Sequence, residues 1–375
     1  MKISKSIKII MYILIAIIVL LVFSVVVFMQ QPQFGKLPAG ERLERIKKSP
    51  NYRDGAFQNQ SPTKIMSEGV SFFTIMKESL FEKSKRVKPV DEIPSVKTDL
   101  LHLDKNEDLL VWLGHSSYFM QIDGKKMLVD PVLSGYASPL SFSIKAFKGT
   151  NNYTPEDFPE IDYLFISHDH WDHLDYNAIN KLKPKIKKVI CGLGTGAHFE
   201  SWGFPKEMII EKDWNEEEIL ELGFIVYTVP VRHFSGRGFK RNQALWISFV
   251  LQTPSMKIYI GGDSGYDKHF AEIGKTFGPL DLAIIENGQY NKNWKHVHLL
   301  PEEIVKVAND LNAKRLFTVH SSKFALGNHA WNEPLVRAFE NTQKANIPLI
   351  TPKIGEVVLL KDITQQFDQW WKGIN

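Results

Sequence analysis

One six-residue stretch constrains this chain more than any other. His168-Asp169-His170-Trp171-Asp172-His173 gathers three of the chain's 12 histidines and two aspartates. The apolar run Ile161-Asp162-Tyr163-Leu164-Phe165-Ile166 precedes it, and Leu174-Asp175-Tyr176-Asn177-Ala178-Ile179 follows with the look of a helix start. The pattern is therefore strand, ligand-rich loop, helix. On an extended chain alternate side chains share a side, so His168 and His170 point together. Adjacent Asp172 and His173 diverge and suit a second centre. Imidazole and carboxylate donors at this density suit a borderline cation such as zinc, whereas a solvated polar loop has no need of them.

Two ions need more donors than one loop carries. Three later apolar runs each end on one: Phe224 to Val231 leads into His233, Lys257 to Gly262 into Asp263, and Arg315 to Val319 into His320. The expected arrangement puts His168, His170 and His233 on a first ion and Asp172, His173 and His320 on a second. Asp263 bridges them, because a carboxylate has two oxygens and suits ions roughly 3.5–4 Å apart. A water held between such ions ionises near neutral pH, so the expected chemistry is hydrolysis, with Asp172 and Asp263 in the catalytic set.

The six-residue stretch resembles the HxHxDH hallmark of the metallo-β-lactamase superfamily, and His233, Asp263 and His320 follow in its ligand order. Within that superfamily the chain is similar to the N-acyl-phosphatidylethanolamine-hydrolysing phospholipase D group. The similarity lies in Trp112-Leu113-Gly114-His115-Ser116-Ser117, Val129-Asp130-Pro131, Ala137-Ser138-Pro139, Gly262-Asp263-Ser264-Gly265-Tyr266, the stretch from Phe277 to Ala283, and His298-Leu299-Leu300-Pro301-Glu302-Glu303. The resemblance covers roughly residues 108 to 335. It implies an αββα sandwich of the α/β (α+β) class with a dinuclear zinc site, two Zn2+, at one edge. It further implies phosphodiester hydrolysis of an N-acyl phospholipid to phosphatidic acid and an N-acylethanolamine. His298 resembles a substrate-side histidine that stabilises an oxyanion. His115 and Asp130 follow strands near the site, and either would hydrogen-bond a ligand imidazole and fix its tautomer. Asp130-Pro131 reads equally well as a structural turn.

Ile9 to Met29 is an apolar run with Ser24 its one clearly polar side chain, preceded by Lys2, Lys5 and Lys8. At ~1.5 Å per residue it spans a bilayer core of ~30 Å. It exceeds a usual signal-peptide core, and no small-x-small cleavage pattern follows, so an uncleaved single-pass anchor is expected. The catalytic part is then expected outside the cytoplasm. The division expected is a tail and anchor over 1–30, a proline-punctuated stalk over 31–95 with an amphipathic helix near 70–81, and a hydrolase domain over 96–375. A net charge of +4 is too mild to argue for nucleic acid. The expected partners are a phospholipid or other ester substrate and the membrane, with a homodimer left open. Gly192-Leu193-Gly194-Thr195-Gly196-Ala197 matches a dinucleotide fingerprint, with Glu211 at ribose-contact distance. Without flanking βαβ repetition it reads as a glycine-rich turn. A lactonase or other esterase on the same metals, and a tethered binding protein with an inherited fold, are the rival expectations.

Overall fold

Alternation along the strands sorts the chain into layers. The computed structural model describes residues 4–82 and 84–375, so Lys2 of the N-terminal lysines lies outside the described residues. In strand Leu109–Trp112, Leu110 and Trp112 join one cluster while Leu109 and Val111 join another. Strand Ile161–Ile166 divides in the same way, Phe165 facing one side and Leu164 the other. In Lys257–Ile260 and Leu282–Glu286, Ile258, Ile260 and Ile284 face inward, and Tyr259, Ala283 and Ile285 face outward. Both faces of both sheets are thus apolar, and each needs a cover.

Two seven-stranded sheets meet that need by packing on each other. The first runs Val357–Leu359, Leu109–Trp112, Tyr118–Ile122, Lys125–Val129, Ile161–Ile166, Ile186–Gly192 and Ile209–Lys212. The second runs Leu349–Ile350, Leu316–Val319, Leu282–Glu286, Lys257–Ile260, Ser248–Gln252, Phe224–Val229 and Glu217–Glu221. Helices Tyr176–Leu182 and Gly196–Ser201 cover the outside of the first sheet. Helices His269–Phe277 and Ile304–Asp310 cover the second. The result is the expected αββα sandwich. Its inner layer includes Trp112, Phe165, Phe249 and Phe317, each essentially without solvent contact. Burying each such side chain contributes about 1.5–3 kcal/mol.

Parallel strands make up one half of each sheet, out to its edge. Lys125–Val129 pairs parallel with Ile161–Ile166, and Lys257–Ile260, Leu282–Glu286 and Leu316–Val319 run parallel together. Their C-terminal ends therefore lie on one edge, where α/β sheets carry their ligands. Backbone bonds sew that edge shut between the sheets: His115 N donates to Ser321 O, His320 N to His115 O, and Ile247 N to Ser167 O. Gly262 sits against Ser167 so closely that a Cβ there would lie 2.8 Å from Ser167 Cβ.

Several local expectations change in the fold. The apolar stretch 244–251 has the composition of a strand, yet strand begins only at Ser248, because Leu245 N and Ile247 N bond across to Leu193 O and Ser167 O. Glu217–Glu221 is a strand despite its charges. It lies at a sheet edge, where charged side chains reach water and discourage further pairing. Residues 31–95, expected as a stalk, also hold a helix, Gly40–Lys47, tied to the sandwich by Arg42 bonds to Glu200 and Glu211. The amphipathic helix is Phe72–Phe81, capped by Ser71. It touches the domain through Glu78 and Asn293, and Phe73, Met76 and Phe81 are exposed. The apolar N-terminal helix is Lys5–Phe28, long and apolar enough to cross a membrane, with no side chain buried in the protein. The fingerprint-like glycines form a turn whose Gly194 and Gly196 amides both donate to Glu211 Oε1. The acidic residue fills the space a pyrophosphate would need.

Lys323 is fully buried and donates Nζ to Leu113 O at 3.0 Å and Val132 O at 2.9 Å. Burial pushes it down to about 7, against the pull of Asp175. An unfolded lysine keeps its proton up to about pH 10.4, so between those values the unfolded chain binds more protons and rising pH favours the fold. This contribution is complete above the unfolded pKa and is lost as pH falls through 7. The stability of the native chain relative to Lys323→Met is expected to increase by on the order of 2–4 kcal/mol between pH 7 and pH 10. Denaturant melts of both proteins at several pH values measure it, and a flat difference would contradict it.

Candidate metal centre

The loop after strand Ile161–Ile166 delivers its side chains as the alternation requires. His168 Nε2 and His170 Nδ1 stand 2.9 Å apart, and His233 Nε2 lies 3.3 Å from His170 Nδ1. Three donors at ~2.0–2.1 Å from a tetrahedral ion would stand about 3.3 Å from one another, so these nitrogens already outline one face of such a site. A second group brings His173, His320 and Asp172 together with His115. Asp263 lies between the groups: its Oδ2 is 3.3 Å from His173 Nε2 and 3.7 Å from His233 Nε2, and its Oδ1 is 3.2 Å from His320 Nδ1. All seven residues expected to bind metal are thus within one small volume.

Hydrogen bonds behind the imidazoles decide which nitrogen faces forward. His233 Nδ1 donates to Val297 O at 2.8 Å, leaving Nε2 for the centre. Asp130 is the hub of the first sheet's side. It accepts from Ser167 N at 2.9 Å, from Ser167 Oγ at 2.6 Å and from His173 Nδ1 at 2.8 Å. Ser167 Oγ in turn lies 3.0 Å from His168 Nδ1. Asp130 thereby orients two imidazoles at once and holds a left-handed backbone, φ 40°, to do so. His115 is placed differently from the expectation. Its Nε2 lies 2.9 Å from Asp172 Oδ2, so it bonds a carboxylate rather than an imidazole. The reason is its own left-handed φ of 54°, which turns the residue across the sheet gap toward Asp172.

His298 stands at the rim, its Nδ1 2.8 Å from Glu286 Oε2 and 4.0 Å from Asp263 Oδ2. Its ring stacks near His320, and it and Asp172 keep 12% side-chain exposure while His168, His173, His233 and Asp263 are closed to solvent. His170 is likewise only half-buried. Sequence reasoning missed Glu286, which ends the buried strand Leu282–Glu286 and accepts from Ser264 N and Leu299 N. Its signal was present, since an apolar strand ending in an acid is the pattern that marked Asp263. Ser116, 2.9 Å from His320 Nδ1, and Ser167 were also missed, and a serine after a strand carries no such signal.

The electrostatics suit a cation. Burial, reinforced by neighbouring imidazoles, holds His168, His233 and His320 well below the usual histidine range, so each offers a neutral ring. Burial also opposes charge on His173, but Asp263, Asp172 and Asp130 outweigh it and push this histidine well above its range. Burial raises Asp263 to about 6, against the opposing effect of His173. The carboxylates thus demand positive charge at this point. His173 Nε2 and Asp263 Oδ1 are buried without a hydrogen-bond partner among the described residues, which a coordinated metal would resolve. The donor set fits a divalent metal.

Comparison with known proteins agrees. Residues 125–321 match the family described as beta-lactamase superfamily domain. An uncharacterised protein of Mycobacterium tuberculosis is 34% identical over 336 residues, covering 86% of this chain and 88% of that one. An N-acyl-phosphatidylethanolamine-hydrolyzing phospholipase D of Caenorhabditis elegans is 32% identical over 234 residues, 58% of this chain and 64% of that protein. Among solved structures, a metallo hydrolase of the archaeon Ignicoccus hospitalis superposes with a TM-score of 0.52 at 16% identity. That match covers 68% of this chain and 98% of the other, a likeness of fold.

Proposed function

The chain belongs to the beta-lactamase superfamily and is a metallo-hydrolase of it, and from that premise we propose a membrane-anchored phosphodiesterase of the phospholipase D type. Its substrates in this reading are N-acyl phosphatidylethanolamines or closely related lipids, and its cofactors two Zn2+. The observation that carries the reading is the convergence of His168, His170 and His233 with Asp172, His173 and His320 on the two sides of Asp263. The similarity to the Caenorhabditis elegans phospholipase supports the substrate class. The exposed apolar helix Lys5–Phe28 supports the anchor, which would keep the rim at a lipid surface.

Bound divalent ions supply Lewis-acid polarisation and lower the pKa of coordinated water. The rest falls to the chain's own groups. Asp130 and Ser167 hold the imidazoles of His168 and His173 in the binding tautomer. Asp263 carries the negative charge that draws both positions together. His298, its Nδ1 fixed on Glu286, keeps Nε2 for a phosphoryl oxygen as negative charge develops there. Burial of most of the ligands excludes water behind the reacting group, while His298, Asp172 and the half-buried His170 keep partial exposure.

The test is a substrate panel. Purified, metal-analysed protein is incubated with an N-acyl phosphatidylethanolamine, plain phosphatidylethanolamine, a lactone and a simple phosphodiester. Release of phosphatidic acid and an N-acylethanolamine from the first is the expected result, at a rate at least about tenfold above plain phosphatidylethanolamine, or ~1.4 kcal/mol of discrimination. Hydrolysis of the lactone alone would overturn the substrate reading and leave the metallo-hydrolase standing.

A further inference from the structure

A cavity of about 500 Å³ lies at the foot of the N-terminal helix, against the back of the histidine loop. One wall is apolar and comes from the helix end and the turn after it: Val26, Met29, Phe34 and Leu37. The opposite wall is the loop from Arg237 to Ala244, where Phe239 is 83% exposed. Lys36, Arg237 and Lys240 bring three cations to it. Its one acidic lining residue, Asp169, is already engaged: Oδ1 accepts from Gly236 N at 2.7 Å and Oδ2 lies 3.2 Å from His198 Nε2.

Arg237 is the unusual member. It is buried, and its guanidinium lies 3.9 Å above the Trp171 ring. It donates to the carbonyls of Gln33, Asp169 and Leu174, and no carboxylate lies within 4.0 Å of it among the described residues. Carbonyls satisfy its hydrogen bonds, and Asp169 and Asp175 attract its charge only from beyond ion-pair distance. Lys36 and Lys240 likewise have no ion pair among the described residues and are exposed.

None of the seven candidate ligands lines this cavity. Asp169 alternates with His168 and His170, so its side chain and the cavity lie on the far side of the loop from the metal donors. We propose that the cavity binds one anionic phospholipid of the bilayer, as an accessory lipid distinct from the substrate. Its phosphate lies among Lys36, Lys240 and Arg237, and the adjoining part of an acyl chain runs along Val26 and Met29 into the membrane. Depth supports this occupant. The apolar helix ends at Phe28, so Met29 falls at the boundary of the hydrocarbon and the three cations fall in the headgroup layer. An aromatic series then connects the lipid to the metal loop, Phe28 against Phe34 and Phe34 against Trp171, each at 5.2 Å. The inference rests on the anchored reading of the helix and not on the substrate assignment.

The test uses the full chain reconstituted in vesicles of equal phosphatidylglycerol and phosphatidylcholine. Flotation is recorded first, and the protein is then extracted in mild detergent and weighed by native mass spectrometry. One retained phosphatidylglycerol per chain, and no phosphatidylcholine, is expected. Lys36→Glu combined with Lys240→Glu should lower that retention at least tenfold. Gly238→Leu, whose side chain would enter beside Met29 Cε, 3.0 Å from the Cβ position, should do the same by filling the cavity and without changing its charge. Asp263→Ala should retain the lipid. Circular dichroism melts on the same samples identify a misfolded variant, and the two changes act by different means, charge and volume, so retention that survives both overturns the site. Equal retention of the two lipids also overturns it. A chain that fails to float sinks the anchor reading and this inference together. A chain that floats and retains the lipid but leaves N-acyl phosphatidylethanolamine intact sinks only the substrate reading.

Discussion

Asp263→Ala is expected to strip metal from the centre and to lower turnover by roughly a thousandfold or more. Among the described residues Asp263 is the one carboxylate within 4.0 Å of donors from both groups, His233 and His168 on one side, His173 and His320 on the other. Its loss would remove a proposed ligand and leave clustered imidazoles with less charge to balance a cation. Metal assistance is worth several kcal/mol in the transition state, and each 1.4 kcal/mol is a factor of ten in rate, which sets the magnitude. Metal content by inductively coupled plasma mass spectrometry, read beside hydrolysis of the lipid panel, measures both effects. Asp263→Asn separates charge from shape, and it should resemble the alanine variant in metal content while disturbing the fold less. A variant that keeps both its metal and its activity would remove Asp263 from the centre.

Asp130→Asn is expected to weaken metal binding by about 10- to 100-fold without abolishing it, the usual consequence of losing a group behind a ligand. Asparagine tolerates the left-handed φ of 40° that Asp130 adopts, so the backbone is not the cause of any loss. What changes is the charge that draws the Nδ1 proton of His173 and the Oγ proton of Ser167. Competition with a graded series of chelators reads the affinity. Asp130→Ala should add a stability loss of about 1–3 kcal/mol for each buried donor left unpaired. If Asp130 is only a turn residue, the asparagine variant will hold metal as tightly as the native chain.

The two variants differ in how visible their positions were. Asp263 ends an apolar run beside two glycines, and that pattern, taken together with the histidine-rich loop, marks a strand end as a candidate ligand. Asp130 has the same signature, yet Asp130-Pro131 reads equally well as a turn, and only the bonds to Ser167 and His173 separate the alternatives. His115 shows the opposite case: its position near the centre was legible, but its partner was not. The left-handed backbone that aims it at Asp172 follows from the bonds it exchanges with Ser321 and His320 on the facing sheet. Glu286 escaped notice because its role depends on meeting His298, 12 positions away on a loop whose path no local pattern describes. The stretch 244–247 is apolar enough for a strand, and cross-sheet bonds to Leu193 and Ser167 take its backbone instead.

The amino-acid order alone determined the apolar helix, the two-faced strands of both sheets and the strand ends that carry metal-type donors, because burial and ligand identity are written residue by residue. Tertiary structure alone decided which of those ends meet. It also decided that the cavity at the helix foot stands behind the metal loop and not in front of it. Distances between groups on facing sheets come from how two twisted layers pack, and no spacing along one chain encodes that.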